Sequence, residues 1–225
     1  MRSPYCRFHF LLAMVLTFVA ESRSWGQEKG PARWEKEIVA IEHRIVTGKI
    51  AEGAPLFLGS SSIRLWKLEE SFPELNALNH GFGGSVLSDS THYFDRIVLP
   101  VKPSVIVLYA GDNDIASGKS PETVRDDFKT FSAMVEEKVP DCRQVIFISI
   151  KPSIKRWALA EKIQKANRLI EQMCVGNSRL KYLDVWKPML TEDGQPNADL
   201  LLDDGLHMNE KGYKIWTDAL IPCLR

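Results

Sequence analysis

Short apolar runs alternate with longer amphipathic stretches along this chain. The runs at 54–59 (APLFLG), 104–110 (SVIVLYA), 144–150 (QVIFISI) and 179–185 (RLKYLDV) are bounded by Gly, Pro or charge and predict strands. A weaker run at 75–79 (LNALN) is a further candidate. Residues 105–109 and 145–150 are apolar at consecutive rather than alternate positions, as in a strand covered on both faces. Between the runs, 34–46 carries Trp34, Ile38, Ile41 and Ile45 at helical spacing. The stretch 121–139 places Val124, Phe128, Phe131, Met134 and Val135 on one face, with Pro121 suited to a first turn. The stretch 157–175 does the same with Ile163, Ala166, Leu169, Ile170 and Met173, and 210–220 closes the series. Strand alternating with helix predicts a three-layer, doubly wound α/β fold with a mainly parallel sheet and right-handed crossovers.

Composition leaves that expectation in place. Apolar residues make up 44% and charged residues 26% of the 225, with Gly and Pro too few for a fibrous or disordered chain. There are 29 basic and 29 acidic residues, so the basic footprint of a nucleic-acid binder is missing. The first residues belong to another category. Arg2 and Arg7 precede an almost wholly apolar stretch at 10–20, interrupted by Thr17. Eleven helical residues rise about 16 Å, too short to span a bilayer and suited to an export signal. Ser24 and Gly26 stand three and one residues before a cut ahead of Gln27. The expected organisation is a signal peptide at 1–26 and one domain at 27–225, exported to the periplasm or beyond the cell. No later run is long enough to cross a membrane. Removing 1–26 leaves 26 basic and 28 acidic residues, and Cys142, Cys174 and Cys223. An odd number of cysteines is no disulfide framework, and the spacings match no zinc pattern. Cys142 and Cys174 are both expected on the amino-terminal side of the sheet, where a bond forms if their Cα atoms lie within about 7 Å. Cys223 competes for either partner.

In a doubly wound sheet, ligands bind outside the carboxyl ends of the strands, where strand order reverses. The residues following each predicted strand are therefore the candidates for chemistry. Gly59-Ser60-Ser61-Ser62 follows the first, and a serine there is either an exposed hydroxyl or an ordinary helix cap. Asn79-His80-Gly81-Phe82-Gly83-Gly84-Ser85 follows the weak candidate, and its glycines allow close approach to a ligand or form a tight turn. This loop lacks the spacing of a dinucleotide or phosphate-binding motif. Gly111-Asp112-Asn113-Asp114 follows the third, and an Asn amide there can donate to an oxyanion. Its carboxylates do not make a calcium loop, because Ala116, Ser117 and Thr123 stand where ligands and a glycine are needed. Asp203-Asp204-Gly205-Leu206-His207 comes last, with a carboxylate three residues before a histidine. His43 falls in the predicted helix at 34–46 and His92 in a further probable helix, and His80, flanking the glycine turn, is a rival base. Together these blocks hold a nucleophile, a base, a ring-orienting acid and oxyanion donors, the set needed for acyl transfer through a serine.

The ordered blocks FLGSSS, NHGFGGS, GDND and DGLH resemble the GDSL-like, or SGNH, serine hydrolases of the esterases and lipases, over nearly all of the chain after the export segment. The resemblance implies a flavodoxin-like fold of the SGNH-hydrolase type. It makes Ser61 the nucleophile, His207 the base and Asp204 its orienting acid. The Ser61 and Gly84 N–H groups and the Asn113 amide become the oxyanion hole. No metal or organic cofactor is implied. Ser60 stands where the family has Asp, and its hydroxyl is expected to hold the turn. The implied activity is hydrolysis of short acyl or acetyl esters of small molecules or glycans. The segment 151–157 is expected to border the crevice, either offering its cations and Trp157 to substrate or lying as a solvated loop with Trp157 in the core. Two other readings are a non-catalytic module on the same scaffold that binds acylated glycan, and a nucleotide binder using the loop 81–84.

Overall fold

The structure, a computed structural model, describes residue 1, residues 30–48 and residues 50–224. The export segment, apart from Met1, and Cys6 within it lie outside the described residues. Among the described residues five strands form one sheet: β1 (Leu56–Gly59), β2 (Leu78–Gly81), β3 (Val105–Tyr109), β4 (Gln144–Ile148) and β5 (Leu180–Leu183). Their order is β2-β1-β3-β4-β5 and every neighbouring pair is parallel. The chain steps outward from β1 to β2, then returns to the other side of β1 for β3. The reversal falls between β1 and β3, so the crevice expected for a ligand lies at their carboxyl ends.

The helices are α1 (Glu35–Thr47), α2 (Ser61–Arg64), α3 (Leu68–Ser71), α4 (Leu87–His92), α5 (Phe94–Ile97), α6 (Asp112–Ala116), α7 (Pro121–Lys138), α8 (Ala160–Cys174) and α9 (Glu210–Leu224). Side chains alternate across the sheet and feed two cores. Leu56, Leu58, Ile106, Leu108, Val145 and Phe147 pack with Ile38 and Ile41 of α1, Phe128 and Phe131 of α7 and Ile163 and Ile170 of α8. Phe57, Val107, Tyr109, Ile146 and Ile148 point the other way, onto Trp66, Phe72 and, from α9, Trp216 and Leu220. Both faces are covered, and this is why the central strands are continuously apolar.

Several boundaries shift by a few residues, and two of the shifts have a clear physical reason. β2 begins at Leu78 rather than Leu75, because its pairing with β1 sets Leu58 opposite His80 and Gly59 opposite Gly81. A polar His and a Gly hide the end of such a strand from an apolar count. The third long helix, α8, starts at Ala160 rather than Trp157, after a 3₁₀ turn over Ile154–Leu159 whose backbone leaves helical geometry at Arg156 (φ −119°, ψ 15°). The disulfide does not form: Cys142, Cys174 and Cys223 are free thiols. Cys142 is buried in the α7/α8 core with its Sγ 3.5 Å from the Gln144 carbonyl oxygen, and Cys174 packs partly buried against that core.

Candidate active site

Ser61 is positioned by backbone geometry that begins at Gly59. Gly59 has φ of 135°, and a Cβ there would collide with the Tyr109 carbonyl oxygen. Only glycine lets β1 end this close to β3, with the Ser60 N–H donating to that same oxygen at 3.0 Å. The Ser60 carbonyl then accepts from the N–H groups of Ile63 (3.0 Å) and Arg64 (3.1 Å), opening α2 with Ser61 at its first position. The expectation for the Ser60 hydroxyl is corrected. Its Oγ is buried without a hydrogen-bond partner among the described residues, so backbone bonds hold the turn instead.

Two neighbours clamp α2. From β2, the Asn79 amide donates to the carbonyls of Ile63 (2.8 Å) and Trp66 (3.0 Å). From α9, the Tyr213 hydroxyl donates to the Ser62 carbonyl at 2.9 Å. The Ser62 residue is buried, whereas Ser61 is partly exposed.

His207 reaches Ser61 from the loop that precedes α9. Its Nε2 is 2.9 Å from Ser61 Oγ and its Nδ1 is 2.5 Å from Asp204 Oδ2. The other oxygen of Asp204 accepts from the N–H groups of Leu206 and His207, both at 2.9 Å. Burial alone raises the Asp204 carboxyl, but the bonds from the His207 ring and these two N–H groups outweigh it and hold the group well below the usual carboxylate range. An ionised carboxylate only accepts, so Nδ1 carries the ring proton and Nε2 is left to accept from the Ser61 hydroxyl. The arrangement can therefore take a proton from Ser61 and stabilise the cation that results.

The remaining candidates meet at the same edge. Gly111 (φ 113°) caps α6, which places Asn113 beside the loop after β2. Asn113 Nδ2 donates to the Ser85 carbonyl at 2.9 Å, tying α6 to the residue next to Gly84. Gly84 is exposed at φ 73°, and a Cβ there would meet the Trp34 ring at 3.2 Å. Ser61, His207 and Asp204 are thus in direct contact, and Asn113 is fastened to the Gly84 loop. His80 is not part of the site. It is buried, its Nδ1 lies 2.7 Å from the Ile97 carbonyl, and burial pushes it down to about 4.

The segment 151–157 borders the site, and it is not a solvated loop. Lys151 is 2% exposed and donates to the Leu206 carbonyl at 2.6 Å, directly beside His207. Arg156 donates to Asn113 Oδ1 at 2.7 Å and pairs with Asp112 at 3.2 Å. Trp157 stacks on Trp186 with ring centroids 5.9 Å apart. Asn79, Tyr213, Lys151, Asp112 and Arg156 thus support the site. Asn79 and Asp112 stand inside the blocks at 79–85 and 111–114 but were given no role there, Lys151 and Arg156 were expected only as cations at the crevice, and Tyr213 stands in no motif. Among the described residues no three His, Cys, Asp or Glu side chains group as metal ligands. A groove of about 790 Å³ beside α2 is lined by Leu65, Trp66, Leu202, Met208 and Tyr213 among others, but not by Ser61 or His207.

The fold is an α/β one, and the Ser61, His207 and Asp204 side chains meet at the switch point of its parallel sheet. The GDSL-like Lipase/Acylhydrolase family profile matches residues 60–215, and the chain belongs to that family. It is a carboxylic ester hydrolase. The chain is similar to platelet-activating factor acetylhydrolase IB subunit alpha1 of Pongo abelii, 28% identical over 196 residues that cover 82% of this chain and 80% of the relative. Its fold resembles that of a protein described as a platelet activating factor from Streptococcus pneumonia, with a TM-score of 0.76 and 22% identity over 85% of this chain and 92% of that one. It also resembles a GDSL-like lipase from Bacteroides thetaiotaomicron, with a TM-score of 0.69 and 18% identity over 87% and 97% of the two chains.

Proposed function

We propose that this protein is an exported serine esterase that removes short acyl groups, acetyl foremost, from small-molecule or glycan esters through an acyl-enzyme on Ser61. The observation that carries the reading is the relay Ser61 Oγ, His207, Asp204, with 2.9 Å and 2.5 Å between its members. Ser61 Oγ attacks the ester carbonyl carbon while His207 Nε2 takes its proton. The negative oxygen is received by the N–H groups of Ser61 and Gly84 and by the Asn113 amide. Collapse expels the alcohol, which leaves with the proton from Nε2. Water then attacks the acyl group, gives a proton to the same nitrogen, and releases the acid as Ser61 regains its hydrogen. Each oxyanion donor in such a site is worth about 10²–10³ in turnover. The preference for acetyl draws on the name of the acetylhydrolase relative. Export rests on the charged and apolar pattern of residues 1–26.

Hydrolysis of p-nitrophenyl esters of increasing chain length, alongside acetylated xylan, tests the substrate. Ser61→Ala is expected to abolish turnover and labelling by a fluorophosphonate probe, whereas Ser62→Ala, at a buried position, keeps both in part. A dead Ser62→Ala with a normal Ser61→Ala would move the nucleophile. Absence of labelling in the unaltered protein would favour a binding module on this scaffold.

A further inference from the structure

An asparagine amide has two ends of nearly equal size and opposite hydrogen-bonding character, and nothing in Asn113 itself decides which end faces a substrate. The surroundings decide it. The Arg156 guanidinium, which only donates, meets Oδ1 at 2.7 Å, and the Ser85 carbonyl, which only accepts, meets Nδ2 at 2.9 Å. Turning the amide over would set donor against donor and acceptor against acceptor at both ends. One of the two Nδ2 hydrogens is used by Ser85, and the other is left for a ligand.

Arg156 is itself fixed. Its side chain is 15% exposed and that of Asp112 is 7% exposed, and the two pair at 3.2 Å. That guanidinium nitrogen, Nη1, has no hydrogen-bond partner among the described residues, so the contact with Asp112 is an ion pair only. Asp112 Oδ1 in turn accepts the Asn113 backbone N–H at 2.9 Å. The non-helical backbone at Arg156 lies inside an otherwise helical turn, at the point where its side chain crosses to α6. The ion pair therefore joins the loop after β4 to the start of α6, beside Asn113.

From this we infer that Arg156 is a positioning residue for ester hydrolysis, holding the Asn113 amide with an N–H toward the developing oxyanion. A charged donor on Oδ1 also polarises the amide and makes the remaining N–H a better donor. The inference rests on the proposed role of Asn113 in the oxyanion hole. It assigns Arg156 no contact with substrate. Lysine would keep the charge and one donor but lose the planar fork that serves Asp112 and Asn113 together.

A double-mutant cycle tests it, with kcat and KM for p-nitrophenyl acetate measured well below each variant's unfolding temperature. Arg156→Ala is expected to lower kcat about tenfold or more with KM within about twofold, the pattern of an interaction made in the transition state. Arg156→Lys should recover part of that loss. In an Asn113→Ala background, Arg156→Ala should cost less than about twofold, because the group it positions is gone. An equal cost in both backgrounds would overturn the positioning role while leaving Asn113 as an oxyanion donor. A raised KM with unchanged kcat would make Arg156 a substrate contact and overturn the role as well. Full activity in Asn113→Ala alone would overturn the oxyanion reading of Asn113, and this inference with it. If Arg156→Ala fails to fold, the same cycle run with Arg156→Lys decides, since a lysine as costly in the Asn113→Ala background as in the unaltered protein sinks the proposal.

Discussion

At the scale of single residues, the site is a set of side chains whose free donors and acceptors are dictated by partners on other elements. Asp204 sets the tautomer of His207, and Arg156 sets the orientation of Asn113. Lys151 is the least expected member. A buried ammonium donating to the Leu206 carbonyl tethers the loop that carries His207. Burial dominates its titration and nearby Arg156 adds to it, against the favourable Asp112 and Asp204, so the group falls from 10.5 to about 8. The native state then holds this proton less tightly than the unfolded chain. Below pH 8 both states are protonated and the cost of burial is fully present. Between about pH 8 and 10.5 the unfolded chain binds the extra proton, so the contribution of this group to stability rises with pH. Urea unfolding of wild type and Lys151→Met at pH 7.5 and pH 10 should show the wild type gaining on the order of 2 kcal/mol relative to the variant. Parallel pH dependences in the two proteins would show that Lys151 does not titrate in this way.

At the scale of elements, the β1–α2 connection carries the most demanding geometry. The same short segment must end a central strand, turn, and start a helix clamped between Asn79 and Tyr213. Gly59 makes the turn possible. Gly59→Ala should cost at least about 2 kcal/mol, from a backbone at positive φ and a Cβ driven into Tyr109, and should remove activity as Ser61 shifts. Gly194→Ala is the control. Gly194 also has positive φ (76°), but a Cβ there would meet no atom within 4 Å, so its cost should be near about 1 kcal/mol. Denaturant midpoints compare the two, and equal losses would show that the approach of β1 to β3 is not what Gly59 serves.

At the scale of the whole molecule, two cores on opposite faces of one parallel sheet leave the carboxyl edge as the place where loops from β1, β2, β3 and β4 converge with the loop before α9. Protein recovered after export is expected to start at Gln27, which N-terminal sequencing or intact mass reads directly. Material that still carries residues 1–26 would recast the segment as an anchor.

The strand runs, the long helices and the order of the blocks were legible along the chain because they are local. Burial on both faces makes β3 and β4 continuously apolar, and an amphipathic period marks α1, α7 and α8 within a few residues. The blocks at 59–62, 79–85, 111–114 and 203–207 stood out because Gly, Ser, Asn, Asp and His at strand ends have few structural reasons to be there together. β2 was harder to place, since its register depends on β1 rather than on its own composition. Arg156, Lys151 and Asp112 could not be assigned partners from the chain at all. Arg156 and Asn113 are 43 residues apart, and Lys151 and Leu206 are 55 apart. A lone cation in a loop has the same letter whether it is solvated, meets a substrate or is buried beneath a neighbouring loop. Only the packing of β4's loop against α6 and the His207 loop removes the water that would otherwise satisfy these charges, and so makes each of them choose a protein partner.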